Sequence, residues 1–152
     1  RAIPQRDYFA TVLSLFTSFG YFERDDENES VLAAVHRALK PRGTFLIDYM
    51  NRDHVIAHLV AYDEKVLADR QIKNARSLTA DSRRVEKTTL VIRDGAEHQF
   101  HESVRLYSVD EMVDMLEDAG FESIQSYGSL NGEEFTPTSP RLVIVARKGQ
   151  AI

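Results

Sequence analysis

Two short stretches of the chain, residues 9–16 and 43–49, are almost continuously apolar. Strands that are buried on both faces, as in a parallel sheet, show such runs rather than strict alternation. Between the two runs, apolar residues recur at helical spacing, at Val31, Leu32, Val35 and Leu39. They predict a helix from residue 28 or 29 to residue 40. The three elements in this order predict a right-handed crossover between parallel strands, the unit of doubly wound α/β folds.

Polar and aromatic residues are concentrated where the two predicted strands end, over residues 17–22 and 48–51. In an open α/β sheet ligands bind beyond the carboxyl ends of the strands, so these residues predict half of a binding site. Gly20 permits a positive φ or a close approach of backbone to a ligand at this point. The acidic run 23–29 is interpreted as a solvated loop that caps the next helix, with cation binding as the alternative.

The middle of the chain has a different pattern. After a short predicted helix at 52–60, the β-branched and polar runs 65–72, 84–92 and 96–107 are separated by turn residues at Asn74, at 80–82 and at Asp94-Gly95. Asp-Gly between alternating runs is a strong hairpin signal. Residues 64–107 therefore predict a three-stranded antiparallel insertion. It could serve as a lid over the ligand end of the sheet or as a dimer surface.

The last third of the chain returns to the α/β pattern. Ser108 and Glu111 form a capping box for a helix that ends at Ala119-Gly120. A strand over 121–127, a loop over 129–140 and a last strand over 141–147 follow. This last strand is predicted to be central, because residues 142–146 are continuously apolar.

Composition narrows the class of protein. The chain has 152 residues, which suits one domain, and its apolar content of 43% and charged content of 28% are those of a globular protein. A net charge of −5 argues against a nucleic-acid surface, and the absence of cysteine excludes disulfides and thiolate chemistry. With no apolar run long enough to span a bilayer and no visible signal peptide, we expect no membrane partner and a cytoplasmic location. The chain starts at Arg1 and soon enters a predicted strand, so we expect a piece of a longer polypeptide.

Six segments together resemble the C-terminal half of class I S-adenosylmethionine-dependent methyltransferases, in particular small-molecule enzymes with an antiparallel insertion after the fifth strand. They are FTSFGYF at 16–22, LKPRG at 39–43, FLIDYMN at 45–51, RLYS at 105–108, AGF at 119–121 and RLVIVARK at 141–148. The resemblance implies a partial Rossmann-like sheet of strands four to seven, the last antiparallel. It also implies that the glycine-rich cofactor loop lies upstream of Arg1. Arg42 stands where the family has a glycine, so Gly43 alone is expected to take a left-handed conformation there.

The resemblance also implies a cofactor, S-adenosylmethionine, a small-molecule acceptor and a set of site residues. Cofactor contacts are expected from Arg1, Leu15, Phe16 and Thr17. Acceptor contacts are expected from Phe19, Tyr21, Phe22, Asn51, Arg105 and Tyr107. The alternative for the phenylalanines is a place in the core, and for Arg105 a cross-strand salt bridge. No residue is assigned as catalytic; general-base candidates, if the acceptor arrives protonated, are His54, His58 and His101. His98 and His101 are not expected to bind a metal together, since three-residue spacing on a strand points them to opposite faces.

Two other hypotheses remain open at the level of sequence. The chain could be catalytically incomplete, with residues 11–16 forming an open apolar edge through which it dimerises or pairs with a separate N-terminal half. It could also be another doubly wound enzyme, such as a nucleotide-dependent dehydrogenase, although the late hairpin and the terminal RLVIVARK fit that class poorly.

Overall fold

The computed structural model of the chain describes residues 3–150, which contain three helices and eight strands. The strands are β1 (Phe9–Ser14), β2 (Leu39–Met50), β3 (Tyr62–Leu67), β4 (Arg70–Leu78), β5 (Arg84–Arg93), β6 (Ala96–Arg105), β7 (Phe121–Tyr127) and β8 (Arg141–Lys148). The helices are α1 (Asp25–Ala38), α2 (Arg52–His58) and α3 (Val109–Asp118). None of the helices within residues 3–150 is long and apolar enough to cross a membrane.

The main sheet has the strand order β1-β2-β8-β7. β1 and β2 are parallel and joined through α1, as the crossover pattern predicted. β8 lies between β2 and β7 and runs antiparallel to both. Its central position agrees with its apolar run, because Leu142, Val143, Ile144 and Ala146 are all buried. The prediction of an α/β fold is therefore confirmed.

The core lies on one face of this sheet. Phe45, Ile47 and Tyr49 of β2 alternate toward that face, where α1 and α3 cover them with apolar side chains. The cluster includes Leu32 and Val35 of α1, Met112 and Leu116 of α3, and Leu142 and Ile144 of β8. The predicted capping box is present at the start of α3, with Glu111 N–H donating to Ser108 Oγ at 3.1 Å and Ser108 N–H donating to Glu111 Oε2 at 2.8 Å.

The opposite face and the outer edge of β1 have no comparable cover within residues 3–150. Leu13, Leu46 and Val145 form one row across β1, β2 and β8 by register. Leu13 is 56% exposed, and the other two are only half-buried. The prediction that β1 is buried on both faces is therefore wrong for the described chain, because β1 is an edge strand whose apolar residues meet solvent.

The insertion forms a separate antiparallel sheet in the order β3-β4-β5-β6. It has four strands where three were predicted, because residues 65–72 contain a turn at Ala68-Asp69 that divides them between β3 and β4. Asn74, which was predicted to lie in a turn, instead lies within β4 and donates to Asp63 Oδ1 at 2.8 Å. The Asp94-Gly95 turn is as predicted, with positive φ at both residues.

Two local expectations at the ends of the crossover are corrected. α1 begins at Asp25, three residues before the predicted start, because the acidic residues form its first turn. At the end of the crossover Arg42 takes the left-handed conformation, with φ of +62°, and Gly43 does not. Gly43 is needed for space instead, since a Cβ there would lie 2.8 Å from the carbonyl oxygen of Lys40.

The buried guanidinium of Arg105 joins the two sheets to both long helices. Its nitrogens donate to Asp25 Oδ1 at 3.3 Å and to Glu111 Oε1 at 3.0 Å, at the starts of α1 and α3. It also donates to the carbonyl oxygens of Leu106 at 2.9 Å and Arg83 at 3.3 Å, and it lies 4.5 Å from the centre of the Tyr107 ring. Arg105 therefore has a structural role, but its ion pairs go to the first turns of two helices rather than across the sheet as the alternative expected.

We expect Arg105→Met to lower the free energy of unfolding by about 3 kcal/mol, because carbonyl oxygens and two carboxylates lose a buried cationic donor. Arg70→Met is the matched control, since Arg70 pairs only with the neighbouring Asp69 on the exposed hairpin. It should cost about 0.5 kcal/mol or less. Urea unfolding of both variants measures the difference, and equal losses would contradict the framework role of Arg105.

Glu111 should make stability depend on acid pH. Burial raises its pKa, but the Ser108 N–H and the Arg105 guanidinium outweigh this and hold the pKa below its usual value. The unfolded chain then takes up the proton more readily than the folded chain, so this contribution is complete above the unfolded pKa and is lost as pH falls through the folded pKa. Glu111→Gln, which can still cap the helix, should flatten the loss of stability seen in urea titrations below about pH 5. Glu97→Gln, on the exposed hairpin, is the control, and a slope unchanged by Glu111→Gln would count against this linkage.

Candidate functional site

A cavity of about 650 Å³ lies beyond the carboxyl ends of β1 and β2, between α2 and the four-stranded sheet. One of its walls is apolar and is built by residues from both sheets and from the α2 segment. These residues are Met50, Val55, Leu59, Val60, Val85 and Val104. The insertion thus closes over the ligand end of the main sheet, which is the position that the strand order predicts for a site.

The charged wall of the cavity comes from the four-stranded sheet. Arg76 of β4, Lys87 of β5 and Glu102 of β6 occupy one row of the register and share a face with Val85 and Val104. Lys87 pairs with Glu102 at 3.0 Å.

The second ion pair of this wall joins Arg76 to Asp63 of β3. Hydrogen bonds from Asn74 and Arg76 lower the pKa of Asp63, so its carboxylate stays charged at neutral pH. The four charges of the wall therefore cancel in pairs, and the wall offers polar groups without a net charge.

The position of α2 is fixed by Asn51. Its Oδ1 accepts from Asp53 N–H at 3.2 Å, which caps the helix, and its Nδ2 donates to the carbonyl oxygens of Pro137 at 3.0 Å and Ser139 at 2.7 Å. This anchoring directs His54 and His58, one helical turn apart, toward the cavity. Their rings stack with centroids 4.3 Å apart.

The loop after β1 is held in an unusual conformation. Phe16 and Thr17 both have φ of +57°, which costs an L-residue roughly 1–2 kcal/mol. Asp48, which is 1% exposed, holds the loop by accepting from Phe16 N–H at 3.1 Å, while its own carbonyl accepts from Thr17 N–H at 3.1 Å. Arg141 pairs with the same carboxylate. The result is that Thr17 faces the cavity and the Phe16 ring stands 82% exposed.

Of the residues proposed from sequence to contact acceptor or cofactor, Thr17 and Tyr21 line the cavity. Leu15 and Phe16, which precede Thr17 after β1, are not among the lining residues. Arg1 lies outside the described residues.

The other predicted residues are placed behind the cavity wall. Phe19 is 4% exposed and packs 5.9 Å from the ring of Tyr107. Tyr107 is buried, and its hydroxyl donates to Asp25 Oδ1 at 2.6 Å. Burial and this hydrogen bond raise the pKa of Tyr107. Phe22 is half-buried and its backbone bonds to Asn28, while Asn51 serves as the cap described above.

Asp63 and Glu102 were not named from sequence, and Arg76 and Lys87 were noted only as part of the mixed charge of the insertion; all four line the cavity. The available signal was alternation: Val85 and Lys87, and likewise Glu102 and Val104, are two residues apart and so share a face. For Arg76 the signal could not be used, because Asn74 was expected in a turn and the strand that continues to Leu78 was not predicted.

No protein-family model matches this chain, and no curated protein has a detectably similar sequence. Solved structures do match. A S-adenosylmethionine-dependent methyltransferase from Clostridium acetobutylicum superposes with a TM-score of 0.83 at 14% identity, over 98% of this chain and 61% of that chain. The CcbJ methyltransferase from Streptomyces caelestis gives a TM-score of 0.77 at 18% identity, over 95% and 62% of the two chains. The sugar N-methyltransferase KedS8 from Streptoalloteichus gives 0.67 at 17% identity, over 99% and 59%.

These comparisons define the class of fold. At such low identities the likeness concerns architecture alone, and it means that the chain has a class I methyltransferase fold. The chain spans about three fifths of the length of the structures it matches.

The strained loop supports a test of its own. We expect Phe16→Gly to raise the free energy of unfolding by about 1 kcal/mol, because glycine adopts a positive φ without steric cost and the exposed Phe16 ring contributes little burial. Phe16→Ala removes the same ring but keeps the Cβ, so it should change stability by less than about 0.5 kcal/mol. Chemical denaturation of the three proteins measures this, and a loss of stability in Phe16→Gly would refute the strain.

Proposed function

We propose that the chain is the C-terminal half of a S-adenosylmethionine-dependent methyltransferase that acts on a small molecule. The observation that carries the proposal is the cavity at the carboxyl ends of two parallel strands in a class I methyltransferase fold. An apolar wall beside a wall of paired charges suits a small polar acceptor with one apolar face, since ligand pockets combine apolar lining with few polar groups. On this proposal the main sheet corresponds to strands four to seven of the family.

The uncovered side of the main sheet supports the half-domain assignment. The parallel pair β1–β2 has the apolar composition of strands that are covered on both faces, yet helices cover one face here. The chain also spans about three fifths of the matched structures. We therefore assign the missing cover to a preceding segment, which would pair with the free edge of β1 and supply the rest of the cofactor site. The insertion acts on this proposal as a lid.

The residues near the free edge fit part of the cofactor. Phe16 holds its aromatic ring almost fully in solvent, on a backbone that is strained and fixed by Asp48, and an exposed ring of this kind can stack on a purine. Leu15 adds apolar surface beside it, and Thr17 brings a hydroxyl group to the cavity. Arg1 is proposed to add a contact near the adenine. When bound, the cofactor would supply an electrophilic methyl group on sulfur.

The chain's own contribution to methyl transfer is alignment and exclusion of water. Tyr21 and Thr17 border the cavity where β1 ends, while Met50 at the end of β2 and Val104 on the insertion belong to its apolar lining. Holding two reactants in an attack geometry supplies much of the acceleration in such reactions. Phe19, Phe22, Asn51, Arg105 and Tyr107 are proposed to act on the acceptor through their support of this wall.

The class of acceptor to test first comes from the matched structures. KedS8 is described as a sugar N-methyltransferase, and another match, CalS10 from Micromonospora echinaspora, as an amino pentose methyltransferase, with a TM-score of 0.63 at 19% identity over 97% of this chain and 61% of that one. A wall of compensated charges is compatible with such polar acceptors. Amino sugars therefore head the panel, followed by hydroxylated aromatic compounds.

Calorimetric titration with S-adenosylhomocysteine tests the proposal on two proteins, the chain as printed and the full-length product of its gene. The full-length product should bind with micromolar affinity and transfer a labelled methyl group to a member of the acceptor panel. The chain as printed should bind at least about 100-fold more weakly, since a 100-fold loss needs only about 2.7 kcal/mol of missing contacts.

Two controls keep the result interpretable. Thr17→Val in the full-length product should weaken S-adenosylhomocysteine binding, whereas Ser123→Ala, at an exposed position of β7 on the opposite edge of the main sheet, should not. Sedimentation of both proteins reports whether the printed chain dimerises through its open edge. The proposed methyltransferase function would be overturned if the full-length product did not bind S-adenosylhomocysteine, or if it were no longer than the printed chain. Dimerisation of the printed chain would then favour a role as an association module.

A further inference from the structure

We propose that His58 is the catalytic base of this site, and that the acceptor therefore carries a proton on its nucleophilic nitrogen or oxygen. The inference rests on the proposed methyl transfer, and it adds the protonation state of the acceptor and the residue that receives the proton. A hydrogen bond at Nδ1 determines which ring nitrogen of His58 can accept a proton.

The tautomer of His58 follows from its partner. Its Nδ1 lies 3.0 Å from the carbonyl oxygen of His54, one turn earlier on α2. A carbonyl oxygen only accepts hydrogen bonds, so Nδ1 must carry the hydrogen. In a neutral imidazole the other nitrogen then has a free lone pair, which leaves Nε2 as a proton acceptor. A histidine whose Nδ1–H is held by a backbone carbonyl is thus prepared to act as a base through Nε2.

Among the described residues, the surroundings of His58 leave its Nε2 without a hydrogen-bond partner. His58 lines the cavity, and Nε2 makes no hydrogen bond or ion pair with any residue in the range 3–150. The stack with His54 limits rotation of the ring, and the Asn51 cap fixes the helix that carries it. A base must be held within reach of the proton that it removes, and these contacts supply that restraint.

The charges that face His58 compensate one another. Across the cavity, Asp63 pairs with Arg76, and Lys87 pairs with Glu102. These two pairs leave no unpaired carboxylate on the charged wall that would compete for the proton of the acceptor.

On α2 itself, Arg52 lies 3.7 Å from Glu111, and Asp53 is an exposed residue of the first turn whose N–H is capped by Asn51. Tyr21 is the phenol among the lining residues. Among these lining groups, His58 is the one whose open ring nitrogen is defined by a hydrogen bond at the other nitrogen.

The other histidines considered from sequence are placed less favourably. His54 also lines the cavity, but its Nδ1 is buried and has no hydrogen-bond partner in the described part of the chain. No bond therefore selects the tautomer of His54. His101 is exposed on the face of the four-stranded sheet that points away from the cavity, and its Nε2 pairs with Glu86 at 2.9 Å.

The step balances as follows. The lone pair of the acceptor's nitrogen or oxygen forms the new bond to the methyl carbon, while the carbon–sulfur bond breaks and its electron pair returns to sulfur. The proton on the nucleophile passes to Nε2 of His58, before or during the transfer. The imidazolium that results keeps its Nδ1–H on the His54 carbonyl and releases the Nε2 proton to solvent. No oxidant, reductant or metal is needed.

The first test reads the tautomer directly and needs no activity. Long-range proton–nitrogen correlation spectra of the printed chain, labelled with ¹⁵N-histidine and recorded near pH 8, should show His58 with Nδ1 protonated and Nε2 unprotonated. His58→Asn identifies the signal by its loss. A spectrum with the proton on Nε2 would overturn the proposal, whatever the outcome for methyl transfer.

The second test uses the full-length product with glucosamine as the amine probe and catechol as the hydroxyl probe. His58→Asn keeps a donor for the His54 carbonyl but has no basic nitrogen, and it should lower kcat/KM by about 100-fold near pH 7, as removal of a general base does. The deficit should shrink at a pH where the probe has already lost its proton. His98→Asn, an exposed histidine outside the cavity, is the control and should match the wild type.

The outcomes separate the two proposals. If His58→Asn binds S-adenosylhomocysteine normally but loses kcat/KM equally at every pH, His58 has only a structural role. If kcat/KM of His58→Asn is unchanged, its role as base is overturned. Methylation restricted to acceptors without an exchangeable proton would also overturn it. Failure of S-adenosylhomocysteine to bind the full-length product would instead reject the proposed function, while the tautomer measurement still decides the state of His58.

Discussion

The hydrogen-bonded guanidinium of Arg105 is the interaction on which the arrangement of the two sheets depends. It sits at the end of β6, where its backbone N–H donates to Gly20 O at 2.8 Å and its carbonyl accepts from the Tyr49 hydroxyl. The same residue reaches the first turns of α1 and α3 through Asp25 and Glu111. A cation without these partners would be too costly to bury, so the helices, the loop after β1 and the four-stranded sheet must all be in place together. Arg105 thereby ties the end of the insertion to the two helices that cover the main sheet.

Gly20 shows how closely the backbone is packed around Arg105. A Cβ at this residue would lie 3.0 Å from both Arg105 O and the Tyr49 hydroxyl, and the φ of +90° is one that other residues rarely adopt. Sequence alone indicated a glycine with a positive φ, which the structure has, or one that allows close approach of the backbone to a ligand. The structure assigns this close approach to the framework. Tyr107 and Phe19 follow the same pattern, since their aromatic rings look like ligand contacts in the sequence and are occupied by core packing in the fold.

Much of the main sheet could be predicted because its signals are local. The elements of the crossover, the capping box of Ser108 and Glu111 and the central position of β8 each follow from a pattern of neighbouring residues. The wrong predictions concern residues whose conformation or pairing depends on other parts of the chain. Arg42 takes a positive φ while Gly43 leaves room for the Lys40 carbonyl, and the strand that carries Arg76 begins only after the missed turn at Ala68-Asp69. His58 could be named as a base candidate from sequence, but its tautomer depends on how its ring meets the His54 carbonyl.

β1 has the apolar sequence of a buried strand but lies at the edge of the main sheet, so covering this edge would release free energy. β1 has the composition of an interior strand, yet Tyr8 is 64% and Leu13 56% exposed, beside a Phe16 that is 82% exposed. Burying a large apolar side chain yields about 1.5–3 kcal/mol, so any segment that covers this edge gains several kcal/mol from these three residues together. Phe16 and Thr17 belong both to that edge and to the margin of the cavity, and their strained backbone is held by Asp48. Docking of the cover and occupation of the cavity would then stabilise the same loop, so each should strengthen the other by linkage.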